Sequence, residues 1–229
     1  MTPHPLDNPI YESLRSRHAS FAVQHGEAIR YPHDVAPFLG VAKETKLHRE
    51  TLEALLPQGS HVFTLGPRID VPAGYEVEFL GPALQMVCDQ PLDPLEDGPS
   101  LVPLETDAHR AAMAELTALV YPHYFRARTW ELGRYFGVIE NGRLAAMAGE
   151  RMGLAPGGPR ELSAICTHPD FLGRGLARRL LVWLSNDVFS RNEQPFLHVD
   201  PANVRAVKLY EQNGYRVRTE IPFWSLRAR

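Results

Sequence analysis

"PDFLGRGLARRLL", residues 169–181, puts two glycines and three arginines at the mouth of an otherwise apolar helix. Glycine is entropically costly near a helix, so Gly173 and Gly175 ahead of strong helix formers mark a turn that needs their backbone freedom. The stretch before the turn, "ELSAICTHP", reads as a strand. Strand, glycine turn and helix together make an anion site. The first helix amides have no internal partners, and the helix dipole adds partial positive charge there. Gly173 and Gly175 let the backbone approach a ligand, and Arg174 and Arg178 bring charge to the rim. The expected holders of a pyrophosphate are therefore Gly173, Arg174, Gly175, Leu176, Ala177 and Arg178. The turn is not a P-loop, since no Gly-Lys-Ser/Thr closes it. It also lacks the third glycine of a dinucleotide fingerprint.

Working outward, the helix after the turn extends to about residue 188 and buries Leu176, Ala177, Leu180, Leu181 and Leu184. "PFLHVD" is a strand and "NVRAVKLYEQNG" a helix closed by Gly214. In that helix Asn203, Ala206, Val207 and Tyr210 fall at i, i+3, i+4 and i+7, one face. Asn203 also reads as a plain helix cap and Tyr210 as a packing residue. "YRVRTEIPFWSL" reads as a final pair of short strands. Upstream, "RYFGVIE" and "RLAAMAGERM" are strands joined by Asn141-Gly142, a strong hairpin signal. Asp107 is placed to cap a helix reaching Val120, with Ala111, Leu116, Leu119 and Val120 as its apolar positions.

Residues 89–100, "DQPLDPLEDGPS", keep no period and read as a linker or exposed crossover. They divide the chain into an N-terminal mixed α/β domain, residues 1–97, and a second domain, residues 98–229. In the first, "ASFAVQHGEAIRYP" looks like a hairpin about His25-Gly26. "KETKLHRETLEALLPQG" sets Leu47, Leu52, Leu55 and Leu56 on one helical face, and "HVFTL" and "GYEVEFL" resemble strands. The whole is an α/β or α+β layer around a mixed sheet.

Bulk properties fit this reading. The 229 residues carry a formal net charge of −3 and are 44% hydrophobic, so no global charge points to nucleic acid or an anionic membrane. No apolar run is long enough for a membrane span, and no secretory signal is visible at the N-terminus. Two cysteines, Cys88 and Cys166, make no disulfide framework, and a reduced, cytoplasmic protein is expected.

"ICTHPDFLGRGLARRLLVWL" followed by "FLHVDPANVRAVKLYEQNGYRV" resembles the acetyl-CoA-binding core of the GNAT superfamily of N-acetyltransferases. The family turn, Gln/Arg-x-x-Gly-x-Gly/Ala, falls on residues 172–177. Gly175 and Ala177 match it, and Leu172 departs from it. The second motif, Asn-x-x-Ala-x-x-x-Tyr ending in Asn-Gly-Tyr, matches Asn203, Ala206, Tyr210 and Asn213-Gly214-Tyr215. The likeness covers roughly residues 101–226. It implies a GNAT-like, mostly antiparallel central sheet flanked by helices, and acetyl-CoA as cosubstrate without a metal. It implies transfer of acetyl to the amine of a small molecule such as an amino acid, a polyamine or a drug-like amine, with no nucleic-acid or membrane partner. The N-terminal half can then be a degenerate copy of the fold, in the manner of glycine N-acyltransferases that use another acyl group. A non-catalytic acyl-CoA sensor is the other alternative.

By the same resemblance, the backbone of Ile165, Cys166 and Thr167 would pair with the pantetheine arm, and Tyr210 would be the general acid. Glu161 is the expected base, on the strand face that alternation shares with Ser163, Ile165 and Thr167, and Glu150 is its rival. The aromatic and basic run at residues 121–137 falls where the family faces its acceptor, so Tyr124, Phe125, Arg126 and Arg128 are candidate lining residues. Cys166 and His168 have the spacing of a nucleophile pair, and His198 and Asp200 that of two metal ligands. A buried thiol and no metal are expected instead.

Overall fold

Strands from both ends of the chain meet in one eight-stranded sheet. The computed structural model describes residues 4–229. Helix α1 (Pro9–Arg15) leads to a three-stranded antiparallel sheet of β1 (Val23–His25), β2 (Ala28–Arg30) and β3 (Leu39–Val41). The short β4 (Thr45–Lys46) pairs with β6 (Ile69–Asp70), on either side of α2 (Arg49–Leu55) and β5 (His61–Leu65). Next come β7 (Tyr75–Cys88), β8 (Val102–Pro103), α3 (Asp107–Val120), β9 (Tyr135–Glu140), β10 (Arg143–Gly153) and β11 (Arg160–Thr167). The chain closes with α4 (Leu176–Ser190), β12 (Pro195–Val199), α5 (Val204–Gln212) and β13 (Tyr215–Ala228). The large sheet has the order β5-β13-β7-β12-β11-β10-β9-β8, and all of its pairings are antiparallel except β11 with β12.

The sheet crosses the expected linker. β5 and β7, before residue 97, lie in the same sheet as β8 to β13, with β7 inserted between β13 and β12. The boundary expected between residues 97 and 98 therefore does not separate two sheets. The linker itself is tied down. Arg179 of α4 donates to the carbonyls of Leu95, Asp97 and Pro99, and Asn186 exchanges two hydrogen bonds with Leu92.

Two apolar layers sandwich the sheet. On one face α4 packs Leu176, Leu180, Leu181, Leu184 and Val188 onto Ala145, Leu162 and Leu197, and α5 adds Tyr210. On the other face α1 sets Ile10 and Leu14, with Leu6 from the turn before it, against Val87, Met152 and Phe196. Alternation explains the division, since Met86 of β7 faces one layer and its neighbour Val87 the other. All four leucines expected on the face of α2 are buried, although the helix begins only at Arg49. In α3 the cap is Thr106, one residue before the expected Asp107. Met113, Leu116 and Thr117 are buried, whereas Leu119 is exposed. The expected last pair of strands is one 14-residue strand, β13. Pro222 does not break it because Pro82 stands opposite, so the two missing donors coincide on one rung.

Beneath α1 a buried cluster joins the N-terminal segment to the sheet. His18 Nε2 donates to the Leu132 carbonyl, while Nδ1 sits 2.9 Å from the Tyr31 hydroxyl and 3.1 Å from Ser13 Oγ. Burial, reinforced by nearby Arg160, lowers the His18 pKa to about 4. An unfolded chain binds this proton from about pH 6.5 downward, so stability should fall as the pH drops from there toward 4, by up to about 3 kcal/mol. Urea unfolding at pH 7, 6, 5 and 4 measures this slope, and a His18→Gln variant should lose that part of it.

Candidate active site

The two parallel strands of the sheet stay together only briefly. β11 pairs with β12 at Arg160 opposite Pro195 and Glu161 opposite Phe196, and then they part. Beyond the fork the β12-facing edge of β11 has no strand partner. A bulge sits at the same place. Met147 pairs with Cys166 but Gly149 with Ser163, and Ala164 takes up the extra residue at φ 52°. The bulge breaks the alternation expected from Glu161 to Thr167, so these residues do not share one face.

Two cavities open where the strands part. One, of about 510 Å³, lies between the C-terminal end of β11, the glycine turn and α5. Gly173 and Gly175 both adopt positive φ, 77° and 73°, and a Cβ at either would meet no protein atom within 4 Å. Gly175 is the N-cap of α4, and no side chain caps that helix. The amides of Leu176, Ala177 and Arg178 thus face the cavity without a protein acceptor beside them, as an anion cradle requires. All six residues expected in the cradle line this cavity, as do Ile165, Cys166, Thr167, Asn203, Ala206 and Tyr210. Arg174 is paired with Glu140 at 2.6 Å and Arg178 donates to Asn213 at 2.9 Å, so both are held in place. Arg205 and Lys208 add two further cations to the lining. Asn203 does cap α5, accepting from the Ala206 amide at 3.1 Å, and it also lines both cavities.

The second cavity, of about 440 Å³, shares Ile165, Cys166, Asn203, Ala206 and Tyr210 with the first, so the two meet along one wall. Its other walls are aromatic, from Phe38, Tyr121, Tyr124 and Phe223, with Arg151, His198 and Asp200 as polar groups. Tyr210 stands at the junction. Burial raises its pKa, which keeps the phenol protonated. Burial likewise pushes the Cys166 thiol up to about 12. His168 caps the turn at Asp170 and contacts Arg143, and makes no pair with Cys166.

Glu161 is not a free carboxylate in this cavity. Its side chain is fully buried and takes a forked pair of hydrogen bonds from Arg151, Nε at 2.8 Å and Nη2 at 2.7 Å. It also accepts from the Met152 amide and from His198 Nδ1 at 2.8 Å. Burial alone would raise its pKa, but Arg151 and then His198 outweigh that and hold it at about 2. A carboxylate so paired is a poor proton acceptor, and the expectation of Glu161 as base is corrected. The rival Glu150 is buried in a separate cluster with Arg134, Arg160 and Arg191.

Behind Glu161 runs a chain of hydrogen bonds. Arg218 donates to Asp7 at the surface and to Gln85 Oε1, which fixes the Gln85 amide. Gln85 Nε2 then donates to the Leu6 carbonyl and faces His198 Nε2 at 3.0 Å. His198 Nε2 therefore accepts and Nδ1 donates to Glu161. Both ring nitrogens are engaged, which is where the structure puts the histidine set aside above as a metal ligand.

Of the four expected acceptor-side residues only Tyr124 lines the cavity. Phe125 packs edge-on against Tyr135, the Arg126 amide is tied to Thr129, and Arg128 is paired with Glu131 and Asp34 at the surface. The residues that reasoning from sequence missed are Arg151, Gln85, Phe38 and Phe223, and His198 was weighed only as a metal ligand. The available signal was polarity out of place, Glu150-Arg151 and His198 inside otherwise apolar strands.

A splayed parallel pair beside a glycine cradle and an uncapped helix start defines an acyltransferase fold. Residues 135–224 match the family described as FR47-like protein. A solved structure of a GNAT-family protein from Novosphingobium aromaticivorans is 34% identical, over 99% of this chain and 100% of that one, with a TM-score of 0.87. GCN5-related N-acetyltransferases from Kribbella flavida (14% identity, 94% and 91% coverage, TM-score 0.62) and Sphaerobacter thermophilus (15%, 97% and 93%, 0.55) share the fold. No curated protein matches. The chain belongs to the GNAT family of acetyltransferases. Among the described residues no helix is long and apolar enough to cross a membrane.

Removing one partner of the buried pair leaves the other charge uncompensated. Glu161→Gln should therefore lower unfolding free energy by about 3–5 kcal/mol in urea titration. Arg128→Ala, at the exposed end of the region, should leave the midpoint unchanged.

Proposed function

We propose that the protein transfers an acetyl group from acetyl-CoA to the amine of a small molecule, in the cytoplasm, a compartment that suits its two unpaired cysteines. The observation that carries this reading is the single wall shared by the two cavities, with a phosphate cradle on one side and an aromatic chamber on the other. Acetyl-CoA would supply the activated thioester. The amides following Gly173 and Gly175 would hold its pyrophosphate, and Arg205 and Lys208 would add charge nearby. The unpartnered edge of Ile165, Cys166 and Thr167 would pair with the pantetheine arm as an added strand would. Amides along that edge are also the donors available to oxygen charge that builds at the junction.

Tyr210 is the group placed to return a proton to the departing thiolate. Its raised pKa keeps that proton in place until the thiolate appears. The acceptor amine would enter from the chamber lined by Tyr121, Tyr124 and Phe223. With Glu161 committed to Arg151, the chamber's exposed carboxylate is Asp200, and the amine proton is best lost to solvent at that mouth.

Calorimetric titration of acetyl-CoA tests the cradle. The parent protein should bind at micromolar levels, and Gly175→Glu, which sets a side chain and a negative charge in the cradle, should abolish binding. Absence of binding to the parent would remove the reading. Tyr210→Phe should keep the affinity and lower the rate of CoA release in the presence of amine by roughly 10²-fold or more. Binding of acetyl-CoA by the parent with no amine-dependent CoA release would identify a sensor instead.

A further inference from the structure

Arg151 is a buried cation with spare donors. Its side chain is 8% exposed and lines the acceptor chamber. Glu161 engages Nε and Nη2, while Nη1 has no hydrogen-bond partner among the described residues. The guanidinium lies 4.8 Å above the Phe38 ring, which fixes its plane. Behind it His198 and Gln85 hold Glu161 in place, so the fork cannot turn to satisfy Nη1 itself. A donor in this position, in a chamber with aromatic walls, is satisfied by an oxygen from a ligand or by water.

The charges of the chamber are separated. Arg151 and Asp200 are its two charged lining residues other than the histidine, and Tyr124, whose pKa burial raises, feels both of their charges. Asp200 and Arg151 both line the acceptor chamber and not the CoA cavity, and Asp200 lies three residues before Asn203, which lines both. An amine near the junction would have Asp200 beside it, and the rest of the same molecule would extend toward Arg151.

We infer that the acceptor is an amino-acid-like molecule, an amine carrying a carboxylate that Arg151 Nη1 receives, with an apolar or aromatic body against Phe38, Tyr124 and Phe223. This rests on the transferase reading above and narrows its substrate class. A carboxylate satisfies a planar guanidinium better than a neutral oxygen or water does, and an acceptor lacking it forgoes that pairing. Polyamines, which would set a second cation toward Arg151, are disfavoured.

The test compares matched pairs by thiol release with acetyl-CoA: phenylalanine against phenethylamine and phenylalaninamide, and leucine against 3-methylbutylamine. The carboxylated member should have a kcat/KM at least tenfold higher. Arg151→Lys keeps the charge opposite Glu161 but not the planar fork, and should bring the ratio to near unity while the KM for acetyl-CoA stays unchanged. The melting temperature of that variant checks that it is folded. Equal or better turnover of the decarboxylated members, or a ratio untouched in Arg151→Lys, overturns the inference and leaves the transferase reading standing. The same pairs are titrated calorimetrically into the protein saturated with CoA. If no pair turns over, tighter binding of the carboxylated members still supports the inference, and equal or absent binding overturns it. Failure to bind acetyl-CoA at all is a separate result and removes the transferase reading itself.

Discussion

Two parallel strands that pair for two rungs and then diverge must be held at the fork, because backbone on the open edge gains nothing from its neighbour. Here the hold is ionic. β10 supplies Arg151, β11 supplies Glu161 and β12 supplies His198, one side chain from each strand that meets there, and β7 closes the set with Gln85. Desolvation opposes every charge in this group. The forked geometry and the additional donors to Glu161 are what make the burial tolerable, and they do so only while the three strands keep their relative positions. The same bonds that fix the fork take Glu161 out of proton transfer and leave one face of Arg151 turned to the chamber. Architecture and chemistry are thus set by one cluster.

The fork divides the labour between backbone and side chains. On the CoA side the ligand-facing groups are amides, from the open edge of β11 and the start of α4, and the residues that matter are those that leave room, Gly173 and Gly175. On the acceptor side the walls are side chains contributed by eight separate elements and the loops between them. Tyr210 belongs to both, because the α5 face that carries Asn203 and Ala206 brings it across the shared wall. A single helical period of i, i+3 and i+7 therefore connects the phosphate end of one cavity to the reacting end of the other.

That division also explains which parts were readable in the sequence. The cradle is six consecutive residues and the α5 face spans eight, so local spacing suffices to find them. The hairpin at Asn141-Gly142 and the apolar face of α4 are local in the same way. The acceptor chamber is built from residues more than 180 positions apart, Phe38 to Phe223, and no periodicity connects those. Placement of Glu161 failed for a narrower reason. Alternation holds only in an unbroken strand, and the bulge falls on Ala164, a residue type that gives no turn signal, unlike the glycine or proline that usually marks such a site. The position of β7 between β13 and β12 was hidden because the proline-rich stretch after it reads as a boundary, when in fact Arg179 and Asn186 bind it to the back of α4.

The two halves of the chain hence contribute unequally to the site. The CoA side comes wholly from residues 165–212, after the linker. The acceptor side draws Phe38, Leu65 and the 80–83 stretch of β7 from before it. The N-terminal segment reaches further in, since the Leu6 carbonyl and the Asp7 carboxylate terminate the relay that orients His198. A replacement in this first segment can reshape the chamber or loosen Arg151 without touching a group that faces the cradle. The geometry thereby separates what is acylated from what delivers the acyl group, with the fork and the wall carrying Tyr210 as structure that the two functions share.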